Sequence, residues 1–126
     1  MKHHRTLQLA SLMLALSLTC ALAAPPPAVV GDWEGTVQTG SSSLRVVLHV
    51  TQAKDGSLTG TFDSPDQGAL GIPLTTVTSD QPAFHFEIER FGCKYDGTIG
   101  KDGSEISGQW KQGAAALPLN LKRVVK

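Results

Sequence analysis

Lys54-Asp55-Gly56-Ser57-Leu58-Thr59-Gly60-Thr61-Phe62 and Lys101-Asp102-Gly103-Ser104-Glu105-Ile106-Ser107-Gly108-Gln109-Trp110 are two copies of one pattern, 47 positions apart and differing by one inserted residue. Each copy runs on into Gln-Gly-Ala (Gln67-Gly68-Ala69, Gln112-Gly113-Ala114) and then Pro-Leu (Pro73-Leu74, Pro118-Leu119). A repeat of this length is a supersecondary unit used twice. Asp-Gly is a two-residue hairpin signal, because glycine accepts the positive φ that such a turn demands. After it, apolar residues fall on every second position. The unit therefore reads as strand, tight turn, strand, loop, strand.

Working outward, the same period of two covers the chain from Trp33 to Leu121, which is the pattern of half-buried strands. Trp33, Gly35 and Val37 share a face, as do Leu44, Val46, Leu48 and Val50. Leu58, Gly60 and Phe62 follow, then Ile72 and Leu74, then Phe84, Phe86 and Ile88. Tyr95, Gly97 and Ile99, then Ile106, Gly108 and Trp110, and finally Leu117, Leu119 and Leu121 complete eight strands. Four of them carry one inward glycine, at Gly35, Gly60, Gly97 and Gly108, where a strand can coil sharply. The predicted fold is all-β, an eight-stranded antiparallel up-and-down barrel, with a two-sheet β-sandwich as the alternative.

In a meander, successive connections alternate between the two ends. The Lys-Asp-Gly-Ser turns and the Ser79–Pro82 loop then share one end. The opposite end collects Thr39–Ser43, Ser64–Gly71, Arg90–Cys93 and Lys111–Ala116, the longer and more varied loops. Asp66, Gln67 and Gln112 lie there, and they are the predicted ligand- or partner-binding residues.

Residues 1–23 read as a secretory signal: Lys2 and Arg5, an apolar run from Leu7 to Leu18, and a small-x-small site at Ala21-Leu22-Ala23. Cys20 invites a lipoprotein reading, but Ser17-Leu18-Thr19 before it fits that signal poorly. Residues 24–30, with Pro25-Pro26-Pro27, form a stiff leader, and 31–126 a single domain. The expected location is periplasmic or extracellular. Removing the signal leaves nine basic against eleven acidic residues. That balance offers no electrostatic grip on nucleic acid or an anionic membrane. No second apolar stretch is long enough to cross a bilayer. Cys93 is then the lone thiol, so no internal disulfide forms, and a buried position suits it.

The sequence holds little that reads as catalysis. It contains no Gly-x-Ser-x-Gly, Cys-x-x-Cys or His-Glu-x-x-His. His49 and His85 fall on outward faces, and His85, Glu87 and Glu89 line a face that reads as solvated. No metal ligand set, cofactor or catalytic residue is expected. Trp33 and Trp110 read as barrel filling rather than a ligand platform. Asp63-Ser64-Pro65-Asp66-Gln67-Gly68 is the most distinctive loop; its Asp, Ser, Pro and Gly are strand-stopping residues, which leaves Gln67 without that explanation.

Gly31-Asp32-Trp33-Glu34-Gly35-Thr36, Leu44-Arg45-Val46-Val47-Leu48-His49-Val50, Asp55-Gly56-Ser57-Leu58-Thr59-Gly60-Thr61, Asp63-Ser64-Pro65-Asp66-Gln67-Gly68, Gly71-Ile72-Pro73-Leu74, Tyr95-Asp96-Gly97-Thr98 and Leu117-Pro118-Leu119 together resemble the β-domain that precedes the catalytic part of many secreted bacterial α/β-hydrolases. The resemblance spans nearly the whole chain after the signal and implies an exported accessory domain. The sequence ends at Lys126 without a hydrolase domain, so the resemblance transfers no catalysis. Gly31-x-Trp33 also resembles the start of calycin barrels, which implies a basic residue, Arg123 or Lys122, lying across Trp33. The expected function is a non-enzymatic exported binding or accessory module, with a separately encoded secreted hydrolase as a candidate partner. The alternative is a carrier of small apolar ligands.

Overall fold

The computed structural model describes residues 28–125. The expected signal segment and the three leader prolines lie outside the described residues. Nine strands follow one another: β1 (Gly31–Thr39), β2 (Ser42–Gln52), β3 (Leu58–Ser64), β4 (Ala69–Pro73), β5 (Thr76–Asp80), β6 (Ala83–Ile88), β7 (Cys93–Ile99), β8 (Glu105–Gln112) and β9 (Ala115–Arg123). Two single 3-10 turns, Pro65–Gln67 and Glu89–Phe91, are the helical residues among those described.

The strands form one sheet in the order β4-β3-β2-β1-β9-β8-β7-β6-β5, and each neighbouring pair is antiparallel. This is the expected up-and-down arrangement, curled around its apolar face. The strand count differs from the expected eight for a reason visible in the register. Eight antiparallel steps separate β4 from β5 in the sheet, so the two run in the same direction. They are also consecutive in the chain. Leu74 N–H still donates to Gly60 O on the β3 side (3.0 Å), while Thr75 N–H already donates to Glu87 O on the β6 side (2.8 Å). Thus β4 and β5 are two halves of one bent pass that leaves one sheet edge and joins the other. The wall makes eight passes in nine segments. No ladder joins β4 to β5, so the curl is a half-barrel, open along that seam.

The second half of that pass corrects the sequence reading. Thr76-Val77-Thr78-Ser79-Asp80 holds one apolar residue, too few to register as a strand, and Ser79 and Asp80 fall in an expected loop. Backbone pairing to β6 decides their conformation instead. The two Asp-Gly hairpins also differ from expectation. Five residues, Ala53–Ser57 and Gly100–Ser104, separate the strands rather than two. In each, the aspartate bends its own backbone: Asp55 Oδ1 accepts from Ser57 N (2.9 Å) and Oγ (2.7 Å), and Asp102 Oδ1 accepts from Ser104 N (3.0 Å) and Oγ (2.8 Å). Gly56 N–H donates to Ala53 O (2.9 Å) and Gly103 N–H to Gly100 O (3.0 Å). With φ of 93° and 74°, the two glycines take the left-handed position after such a turn.

Period-two alternation puts Trp33, Leu48, Phe86, Tyr95 and Ile106 fully inside, each worth about 1.5–3 kcal/mol relative to exposure. The strands pack most closely where glycines leave room. Gly97 faces Gly108 across β7 and β8, and the Tyr95 ring covers the pair. A Cβ on Gly108 would lie 2.3 Å from Asp96 O and 2.7 Å from Tyr95 Cζ. The Tyr95 hydroxyl donates to Leu119 O at 2.8 Å. Packing also reaches back beyond the boundary read at Gly31: Val29 is completely buried, so the end of the leader belongs to the domain.

Candidate functional site

The two ends of the curl are built differently. One end carries the two five-residue turns and the β5–β6 turn, and Trp33 seals it. Trp33 is fully buried, and its Nε1–H donates to Val29 O at 2.9 Å. The Arg123 guanidinium lies 4.3 Å from the centre of the Trp33 ring, a cation–π contact. The same guanidinium donates to Val30 O (2.9 Å), Gly103 O (3.2 Å) and Ala28 O. It therefore ties leader, last strand and turn into a plug. Of the two basic residues expected across Trp33, Arg123 takes the role. Lys122 stands on the outer face, opposite Glu34 in the β1–β9 register.

The other end is open. A cavity of about 360 Å³ sits among β1, β2, β3, β8 and β9, within the usual range of small-ligand sites. Val37, Val46 and Phe62 form its buried floor, and Leu44, Trp110 and Leu117 its half-buried walls. Trp110 packs on Phe62 with ring centres 5.1 Å apart and meets Phe86 edge-on at 6.3 Å. The polar lining is Thr39, Ser64, Gln67 and Gln112. Gln67 and Gln112, read from the sequence as sharing a rim, thus line one cavity. Sequence reasoning misses the rest: Ser64 reads as a turn residue and Trp110 as barrel filling. Trp110 stands opposite Leu117 in the β8–β9 ladder, close to where that ladder stops at Gln112 and Ala115. Only strand register reveals that position.

The two amides are oriented. Buried Ser64 donates its hydroxyl to Gln67 Oε1 at 2.7 Å. Gln112 Oε1 accepts from Trp110 Nε1–H (3.3 Å), and Gln112 Nε2 donates to Phe91 O (3.1 Å). Asp66, the third predicted residue, does not line the cavity. It accepts from Arg45 N–H (2.9 Å) and from the Arg45 guanidinium (3.2 Å). The backbone N–H first, and then the guanidinium, holds its carboxyl below the ordinary value. Asp66 therefore pins the Pro65–Gln67 turn to β2 and sets where Gln67 stands.

The outward histidines are not simply solvated, as their face reads in the sequence. His49 Nδ1 lies 2.9 Å from Asp32 Oδ1 and its Nε2 lies 2.9 Å from Asp63 Oδ2. His85 is held between Asp96 Oδ1 (2.6 Å) and Glu87 Oε2 (2.7 Å). Carboxylates only accept, so both contacts of a ring exist together only when it carries two protons. Asp32 and then Asp63 raise His49 above its ordinary 6.5. For His85, burial opposes the charge, but Asp96 and Glu87 outweigh it and the value rises. These are clamps across strands. Among the described residues, no group of three or more His, Cys, Asp or Glu is placed to hold a metal ion. Cys93 is buried, and burial pushes its thiol up, which leaves it a poor nucleophile.

A wider concavity of about 700 Å³ crosses the outside of β2, β1 and β9. Glu34, Gln38, Arg45, Asn120 and Lys122 line it, and all are exposed. It excludes little water, so the smaller cavity with an apolar floor is the better candidate. No protein-family model matches this chain, and no curated protein matches it. Fold and cavity define an all-β, barrel-like domain with one sealed end and one open end.

Proposed function

We propose that this is a non-enzymatic binding module, exported by its N-terminal signal, that takes a small molecule into the cavity at its open end. The observation that carries this reading is the convergence of Gln67 and Gln112 on one apolar-floored cavity. Buried apolar walls with a few placed polar groups are the ordinary make-up of a small-ligand site. The groups that could do chemistry are engaged elsewhere: the Cys93 thiol is buried with its pKa raised, and both outward histidines are clamped by carboxylates. That favours binding over turnover.

The neutral fluorophore N-phenyl-1-naphthylamine tests it. One molecule per chain is expected to bind. Thr39→Trp, at an exposed position on the cavity lining, is expected to fill the mouth and weaken binding at least tenfold without loss of folding. No binding, or equal binding by the variant, overturns the proposal.

A second reading, a protein partner at the same end, draws on Leu70 in β4 and Phe91 in the Glu89–Phe91 turn, which are 69% and 42% exposed. A separately encoded secreted hydrolase is the partner that the sequence resemblance suggests. Co-purification that is lost with Leu70→Ser and Phe91→Ser, and kept with Thr39→Trp, would favour it.

A further inference from the structure

We infer that the ligand of the open-end cavity is an uncharged amphipathic molecule, an apolar ring or short chain bearing one neutral hydrogen-bond acceptor that is received by Gln67 Nε2. This inference rests on the proposed binding function and adds the chemistry of what is bound.

The argument begins with charge. Among the described residues lining the cavity there is no Asp, Glu, Lys, Arg or His. Arg45 and Asp66, the charged pair beside the turn that carries Gln67, are spent on each other, 3.2 Å apart on the outside of that turn. A charged ligand group drawn in among Phe62, Trp110 and Leu117 would lose its water and find no counter-charge. An uncharged body loses nothing of that kind and gains the burial of its apolar surface.

Polarity comes next. Of the two amides, Gln112 is already engaged at both ends, through Trp110 Nε1 and Phe91 O. Gln67 is engaged at one. Its Oε1 accepts from the buried Ser64 hydroxyl, which fixes the amide so that Nε2 is the end left to donate. Asp66, bonded to Arg45 through both carboxylate oxygens, holds the turn that carries this amide. A rim donor of fixed direction above an apolar floor selects a ligand acceptor such as a ketone, ester or amide oxygen. Asp66 is a positioning residue here, since it lines no part of the cavity.

A matched naphthalene series tests the inference, read by quenching of Trp110 fluorescence with a Trp33→Phe background to remove the other indole. The probes are 2-ethylnaphthalene, 2-acetylnaphthalene, 2-naphthoate and 2-naphthylmethylammonium. The acetyl compound is expected to bind at least fivefold tighter than the ethyl compound and at least tenfold tighter than either ion. Gln67→Leu should erase the advantage of acetyl over ethyl. Gln67→Glu keeps an acceptor for Ser64 but replaces the donor by an anion, and should shift preference to the ammonium probe. Failure of every probe to bind, the ethyl compound included, defeats the binding function itself. Tighter binding of naphthoate, or an acetyl advantage that survives both Gln67 variants, leaves the binding function standing and overturns the ligand class.

Discussion

The two tryptophans stand at opposite ends of one curled sheet, and their surroundings differ in kind. Trp33 is fully buried, hydrogen-bonded to Val29 and covered by Arg123. Trp110 is half-buried, stacked on Phe62, and borders a cavity. Strands of similar pattern feed both. The difference comes from what the connections bring. At the sealed end, the β7–β8 turn and the last leader residues converge on one guanidinium. At the open end the connections are no longer than those at the sealed end, two to four residues each (40–41, 65–68, 89–92 and 113–114) against the longer loops expected from the sequence, and they leave uncharged polar side chains around a gap. One end is closed by packing, and the other is left open.

That contrast can be broken by experiment. The largest effect belongs to Trp33→Ala, expected to cost about 3–5 kcal/mol in denaturant unfolding, as deletion of a packed aromatic does. Trp110→Ala should cost less than half as much, because part of its surface already faces the cavity. Equal losses would show that the ends are not differently packed. Gly60→Val and Gly108→Val should each cost more than about 2 kcal/mol. A Cβ at these positions would lie 2.4 Å from His49 O and 2.3 Å from Asp96 O, so the wall joining the ends must move. Wild-type melting of both variants would mean that the strands are not held as close as described.

Arg123→Met should cost about 2 kcal/mol through its hydrogen bonds and ring contact. Its counterpart at the open end, Asp66→Ala, should change stability far less, since the Arg45 pair is exposed, while lowering affinity for 2-acetylnaphthalene. A stability loss from Asp66→Ala as large as that from Arg123→Met would erase the distinction. Gln67→Ala with Gln112→Ala should weaken binding at least tenfold, about 1.4 kcal/mol. Asp55→Ala with Asp102→Ala, at the sealed end, should leave affinity unchanged; titrations of the two double variants decide.

The smallest effect is pH dependence. Both clamp histidines have folded-state values raised above 6.5. Their contribution is complete below about pH 6.5 and fades as pH rises through the raised values. The melting temperature should therefore be higher at pH 5.5 than at pH 8, and His49→Gln with His85→Gln should shrink that difference. An undiminished difference would place its origin elsewhere.

Much of this is legible in the sequence. Alternation locates the buried face of the wall at Trp33, Leu48, Phe86 and Tyr95, and meander logic places Gln67 and Gln112 on one rim. Three features are not legible, each for its own reason. Thr76–Asp80 is a strand by hydrogen bonding to β6, with almost no apolar signal. The histidine clamps depend on cross-strand register: Asp32 faces His49 and Asp96 faces His85 only once β1 pairs β2 and β6 pairs β7. The burial of Val29 depends on a hydrogen bond from Trp33 and on Arg123, from the far end of the chain.

That last tie also orders events in time. Arg123 meets Val30 and Ala28 across 93 and 95 residues of sequence, and β1 pairs with β9 as well as β2. Loop closure over such a separation comes late and slowly in folding. A chain emerging from its N-terminus has β1 with one edge unpaired until nearly every residue has followed. The plug over Trp33 is then the last piece to set. Such a fold tightens only after its first and last strands have met. Hydrogen exchange during refolding should accordingly protect the amides of β7 and β8 before that of Arg123.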